Sequence, residues 1–208
     1  MSKNTMPLHK DAWIEELSIK IFNQIEALTK DKVGVSRESY GKGETISINY
    51  MIDLAKEFGF YIEKDAAANV YLSLEQSIKN NHILIGSHID SVPQGGNFDG
   101  LAGVIAGFLI LVYLKEKKVK TSLPIKLLVL RGEESAWYGK NCIGSKALFG
   151  LISQDDLNST HRSNGKKLSK AMTESGVKLD QIRKCKTLIN KNEVEAFIEI
   201  HIEQGPIL

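Results

Sequence analysis

The apolar run HILI (82–85) leads directly into GSHIDSVPQGGNFDG (86–100), which carries one His, two Asp and four Gly. An apolar run rich in Leu and Ile between polar residues is typical of a central buried strand. In open α/β sheets, functional side chains gather just beyond the carboxyl ends of the strands. The stretch therefore predicts a strand over 82–88 and a functional loop after it, with His88, Asp90 and Asp99 as candidate site residues.

Helices and strands are predicted to alternate along the rest of the chain. Apolar residues at helical spacing predict helices over 11–29, 45–59, 101–117 and 143–150. Shorter alternating or apolar runs predict strands on either side of a turn at 65–69, over 124–132 and over 195–203. A polar stretch at 153–170 is predicted to be a mobile connection, followed by one or two helices. This order predicts an α/β sandwich with a largely parallel sheet.

Composition limits the classes of partner. The 208 residues carry a net charge of +2, too small to indicate binding to nucleic acid or to an anionic membrane. The longest apolar run, 103–114, is too short to span a bilayer, and the first residues lack the apolar segment of a signal peptide. Two cysteines indicate a reducing, cytoplasmic setting. We therefore expect a cytoplasmic protein that binds neither nucleic acid nor a membrane.

Two further strand ends carry residues suited to metal binding. Glu133 and Glu134 follow the strand predicted over 124–132, and His201 closes the last strand. Taken singly, each signal has an ordinary explanation, such as a helix-capping Asp or an exposed acidic pair. Taken together with His88 and Asp99, they predict a site with nitrogen and oxygen ligands, which suits Zn²⁺, Mn²⁺, Co²⁺ or Ni²⁺. An Asp able to bridge suggests two ions.

Three motifs resemble those of the hydantoinase/carbamoylase family of metal-dependent amidohydrolases, within the M20 peptidase-like superfamily. They are GSHIDSVPQGGNFDGLAGV, RGEESAWYGKNCIGSKALFG and HIEQGPIL. The resemblance implies a three-layer αβα catalytic domain with a mixed, largely parallel sheet. It also implies a small-molecule substrate and hydrolysis of a linear amide or ureido bond, as in N-carbamoyl-L-amino acids, β-ureidopropionate or allantoate.

The resemblance assigns a role to each candidate residue. It implies ligands for two divalent metal ions, namely His88, Asp99, Glu134 and His201. Asp99 would bridge the ions, His88 and His201 would complete the first site, and Glu134 would bind the second ion.

It further implies three roles outside the ligand set. Glu133 would be the general base, taking a proton from water and passing it to the leaving nitrogen. Asp90 would orient the His88 ring, and Gln204 would contact the substrate. The family also suggests a cis peptide bond between Asp99 and Gly100.

Length is the main departure from the family pattern. Family members are about twice as long, because a lid and dimerisation domain and a C-terminal catalytic segment follow this region. Residues 1–208 would then be the N-terminal portion of the catalytic domain, without the remaining ligand of the second ion and without the surface for a homodimer. This predicts one bound ion or none, and little or no hydrolysis by this stretch alone. The alternatives are a peptidase or aminoacylase of the same superfamily, and a metal-free binding module.

Overall fold

A five-stranded mixed sheet forms the centre of the structure, a computed structural model that describes residues 12–76, 78, 80–203 and 205. The strands are β1 (Tyr61–Lys64), β2 (Val70–Ser73), β3 (His82–His88), β4 (Ile125–Leu130) and β5 (Val194–Ile198), in the spatial order β1-β2-β4-β3-β5. β2 pairs antiparallel with β1 and β4, whereas β3 pairs parallel with β4 and β5. The carboxyl ends of β3, β4 and β5 therefore meet at one edge.

Helices cover both faces of the sheet. They are α1 (Ala12–Thr29), α2 (Lys42–Glu57), α3 (Leu101–Glu116), α4 (Ile143–Leu148), α5 (Gln154–Asn158), α6 (Leu168–Glu174) and α7 (Leu179–Ile182). No helix in the described part of the chain is long and apolar enough to cross a membrane.

Alternation along the central strands produces the layers, because successive side chains of a strand point to opposite faces. Leu127 and Val129 of β4 join the core formed with α1, α2 and α3. Leu128, between them, packs on the other face with Leu84 of β3 and Leu148 of α4. The predicted three-layer αβα sandwich with a mixed sheet is confirmed.

Helix α3 lies in the layer that α1, α2 and α3 form on one face of the sheet, and half of its residues are buried. Its Phe108 is fully buried and contacts two aromatic rings, Phe58 at 5.6 Å and Phe60 at 5.4 Å between ring centroids. The helix begins directly after Asp99 and Gly100, so its packing also fixes the position of the loop that carries Asp99.

Two predictions about the second half of the chain are wrong. The stretch 153–170 is not a simple mobile connection: it contains α5, a bridge between Thr160 and Lys167, and the start of α6. Ser153 and Asp156 form a capping box that starts α5, a local signal hidden by the polar composition. The last strand ends at Ile198, so His201 lies in the segment after β5.

Replacement of Phe108 should test the contribution of this core. We expect Phe108→Ala to lower the free energy of unfolding by about 3–5 kcal/mol, because a large ring is removed from a fully packed site. Tyr113→Ala, on the same helix at a position 37% exposed, is the matched control and should cost much less. Urea denaturation followed by circular dichroism measures both, and equal losses would contradict this description of the core.

Candidate metal centre

Three candidate ligand atoms lie close together beyond the carboxyl ends of β3 and β5. His88 Nε2 is 3.3 Å from His201 Nε2 and 3.6 Å from Asp99 Oδ1, and His201 Nε2 is 3.2 Å from the same Asp99 oxygen. Tetrahedral zinc with bonds of about 2.1 Å holds its ligand atoms about 3.4 Å apart. The three atoms therefore fit one face of a tetrahedral site for a single divalent ion.

Both imidazoles turn the same nitrogen toward this triangle. His88 Nδ1 lies 3.0 Å from the Asp90 carbonyl oxygen and 3.3 Å from Asp90 Oδ1, so Nδ1 carries the hydrogen. His201 Nδ1 lies 2.9 Å from the carbonyl oxygen of Ile202. With Nδ1 donating, the Nε2 lone pair of each neutral ring is available for a metal ion.

Acidic neighbours control the protonation of His88. Its burial lowers the pKa, but the hydrogen bond and charge of Asp90, with the charges of Glu133 and Asp99, raise it overall to about 9. Without an ion, the imidazolium is therefore the favoured form at neutral pH. A divalent cation would replace that proton among the same carboxylates.

Glu133 and Glu134 are held beside the triangle by their backbone. The N–H of Glu133 donates to Asp90 Oδ1 and that of Glu134 to Asp90 Oδ2, both at 3.0 Å. Glu133 Oε2 lies 3.9 Å from His88 Nε2. Burial and then the charges of Asp99 and Asp90 raise the pKa of Glu134 to about 7. This crowding of carboxylates is relieved when a cation binds among them.

Two glycines permit the close approach of the elements that carry the candidate ligands. A Cβ at Gly100, where φ is 62°, would lie 2.5 Å from the His88 ring. A Cβ at Gly103 would lie 2.2 Å from the carbonyl oxygen of Ile200, the residue before His201. Ser87 adds a hydrogen bond of 2.5 Å to Glu199 in the same segment. The start of α3 and the end of β3 thus position His201.

One feature suggested by the family resemblance is absent. No peptide bond in the described part of the chain is cis, so the Asp99–Gly100 bond is trans. The sharp turn into α3 is made instead by the positive φ of Gly100. Gln204, the residue predicted to contact substrate, lies outside the described residues.

Sequence reasoning missed a buried polar segment next to the site. Ser39 donates a hydrogen bond of 2.5 Å to Asp90 Oδ2, and Arg37 donates to the Ile89 carbonyl oxygen at 2.6 Å and to Asn97 Oδ1 at 3.0 Å. Nothing in the local pattern of residues 35–40 predicts these contacts, because they cross more than fifty residues of chain.

Four of the predicted residues surround an open pocket of about 350 Å³. They are Asp99, Glu133, Glu134 and His201. The pocket is large enough for a small molecule to reach the carboxylates and the candidate ligand atoms.

Comparison with known proteins identifies the class. The family model for Peptidase family M20/M25/M40 matches residues 84–208, more than half of the chain, and the chain belongs to this family.

Two of the similar proteins are named as amidohydrolases. An N-carbamoyl-L-amino acid amidohydrolase from Geobacillus stearothermophilus is 34% identical over 176 residues, 84% of this chain and 42% of the relative. An allantoate amidohydrolase from Escherichia coli (strain K12) is 33% identical over 126 residues, 61% of this chain and 30% of the relative. These similarities confirm the predicted resemblance to the hydantoinase/carbamoylase amidohydrolases.

A solved structure shows the same fold. The crystal structure of a hydantoinase/carbamoylase family amidase from Burkholderia ambifaria matches with a TM-score of 0.78 at 24% identity, covering 92% of this chain and 46% of that chain. The chain thus spans less than half the length of these relatives.

Gly103 offers a test of how His201 is positioned. We expect Gly103→Ala to weaken Zn²⁺ binding on the order of tenfold to a hundredfold, the range found when the support of a metal ligand is lost. The added methyl group would push the Ile200 carbonyl, and His201 with it, away from α3. Gly96→Ala is the control, because nothing lies within 4 Å of a Cβ at that position. Isothermal titration with Zn²⁺ measures both variants, and unchanged binding by Gly103→Ala would contradict this placement.

Proposed function

We propose that this chain carries the metal-binding and acid–base residues of a hydrolase that cleaves linear C–N bonds in ureido or amide compounds. The observation that carries the proposal is the triangle formed by the His88, Asp99 and His201 ligand atoms, with Glu133 beside it. Relatives named for hydrolysis of N-carbamoyl-L-amino acids and of allantoate support the substrate class.

The proposed metal site uses residues of three segments. His88, Asp99 and His201 would hold one divalent ion, of which Zn²⁺, Mn²⁺, Co²⁺ and Ni²⁺ suit the ligand set. Asp99 would be shared with a second ion, which Glu134 would also bind. When bound, such ions polarise a carbonyl group and make water more acidic.

Glu133 is the proposed general base. Its carboxylate is partly exposed at the pocket, and its backbone is fixed by Asp90, so the side chain can reach a molecule bound there. It would take a proton from the attacking water and deliver it to the nitrogen that leaves. Asp90, fully buried, would keep the His88 ring in the orientation that presents Nε2 to the ion.

We propose where this chain lies in a whole enzyme from the share of its relatives that it covers. Residues 1–208 would correspond to the N-terminal portion of a catalytic domain, while the rest of the relatives has no counterpart within these residues. In that case the lid and the homodimer surface would come from the part of the relatives beyond the matched region. Substrate contacts other than Gln204 would come from the same part. The two free cysteines support a cytoplasmic setting.

A peptidase or aminoacylase activity is the second candidate, because the matching family model is that of a peptidase family. An assay panel separates the two. N-carbamoyl-L-amino acids and allantoate release ammonia when hydrolysed, whereas a dipeptide releases a second amino acid. A metal-free binding module is less favoured, since nothing in such a module would hold three side-chain atoms at the distances found between the ligands of one metal ion.

A chimeric chain tests the role of Glu133. Residues 1–205 joined to the remaining half of the Geobacillus stearothermophilus relative should hydrolyse N-carbamoyl-L-amino acids, while this chain alone should show little or no turnover. Glu133→Gln in the chimera should lower kcat by about a hundredfold or more, because a general base contributes that much.

Two controls make the chimera experiment decisive. Glu133→Gln should keep Zn²⁺ affinity within a fewfold, and Glu57→Gln at the end of α2 should leave kcat unchanged. A chimera whose rate does not depend on Glu133 would contradict the proposed base. Cleavage of the dipeptide alone would favour the peptidase.

A further inference from the structure

The fully buried Asp90 carboxylate accepts three hydrogen bonds and lies 3.3 Å from the His88 Nδ1 atom. Oδ1 accepts from the N–H of Glu133, and Oδ2 accepts from the N–H of Glu134 and from the Ser39 hydroxyl. His88, Glu133 and Glu134 belong to the segments that carry the candidate site residues. Ser39 comes from the loop before α2, 51 residues earlier in the chain.

Ser39 is held in place independently of Asp90. Two residues before it, Arg37 accepts a hydrogen bond from the N–H of Ser91 at 3.0 Å, and the Arg37 N–H donates to Ser91 Oγ at 3.0 Å. One residue after it, the Tyr40 N–H donates to Glu44 Oε2 at 2.7 Å. The backbone on both sides is therefore fixed, and the Ser39 hydroxyl reaches Asp90 from a rigid support.

The Ser39 hydroxyl contacts the loop after β3, which carries Asp90, and the loop after β4, which carries Glu134. Besides the 2.5 Å contact with Asp90 Oδ2, its oxygen lies 3.4 Å from the carbonyl oxygen of Glu134. A buried carboxylate oxygen that loses one of two donors is free to turn toward a new partner. Any turn of Asp90 would change the contacts of its other oxygen with His88 Nδ1 and with the Glu133 N–H.

We infer that Ser39 is a positioning residue of the metal centre: its hydroxyl completes the hydrogen-bond shell of Asp90, which holds the His88 ring and the Glu133–Glu134 backbone in one arrangement. The inference rests on the proposed function, since it supposes that His88 binds a metal ion. Ser39 itself contacts neither an ion nor a substrate.

Ser47 provides a matched comparison within the same region. It is also fully buried, but its hydroxyl donates to the Gly43 carbonyl oxygen within α2 at 2.9 Å. Loss of either hydroxyl removes one donor from a buried acceptor, so both variants are expected to lose some thermal stability. Only Ser39 is connected to Asp90.

Zn²⁺ affinity separates a positioning role from a purely structural one. Isothermal titration is performed on the full chain for wild type, Ser39→Ala and Ser47→Ala, with thermal unfolding of the metal-free proteins recorded in parallel. We expect Ser39→Ala to bind Zn²⁺ about tenfold more weakly, the lower end of the range for partners that orient a metal ligand. Ser47→Ala should bind within twofold of wild type, and Ser39→Thr, which keeps a hydroxyl, should recover most of the affinity.

Each contrary outcome has a distinct meaning. Wild-type affinity in Ser39→Ala, or an equal loss in Ser47→Ala, would overturn the inference and leave the metal site standing. A wild-type chain that binds no Zn²⁺ would overturn the proposed site and the inference together. If Ser39→Ala does not fold, Ser39→Thr decides: near wild-type affinity supports the role of the hydroxyl, and a folded Ser39→Thr with weak binding contradicts it.

Discussion

The buried Asp90 carboxylate joins the segments on which the candidate site depends. A charge with no exposure to solvent is tolerated only when hydrogen bonds or an opposite charge replace its hydration, and Asp90 has three hydrogen-bond donors and the His88 ring beside it. Burial raises its pKa, but the hydrogen bond and charge of His88, with the hydrogen bonds from Ser39 and Glu134, lower it below the ordinary value. The ionised carboxylate can therefore fix the His88 ring and the Glu133–Glu134 backbone at the same time.

The sheet topology brings the candidate ligands to one edge of the sheet. Close packing of the loops and α3 then sets the distances between them. Because β3, β4 and β5 run parallel, their carboxyl ends deliver His88, Glu133 and His201 to one edge. The short distances between the candidate ligand atoms depend on two glycines. Gly100 leaves room for the His88 ring, and Gly103 lets the segment of His201 lie against α3.

The parts of the structure that the sequence predicts are those set by local periodicity. The apolar run before His88 and the apolar helix after Gly100 are recognisable because a strand and a helix bury residues at different spacings. The contact of Ser39 with Asp90 is not predictable in this way, since it joins positions 51 residues apart and the loop has no periodic pattern. The order of residues 153–170 was likewise hidden, because its stabilising capping box and its buried Leu157 lie among polar neighbours.

The proposed metal centre requires His88, Asp99 and His201 to bind one divalent ion together. X-ray absorption spectroscopy of the chain loaded with one equivalent of Zn²⁺ tests it most directly. We expect two imidazole nitrogens and carboxylate oxygen in the first coordination sphere at about 2.0–2.2 Å, and the loss of one imidazole in His201→Ala. A sulfur ligand at about 2.3 Å, or a spectrum unchanged by His201→Ala, would contradict it.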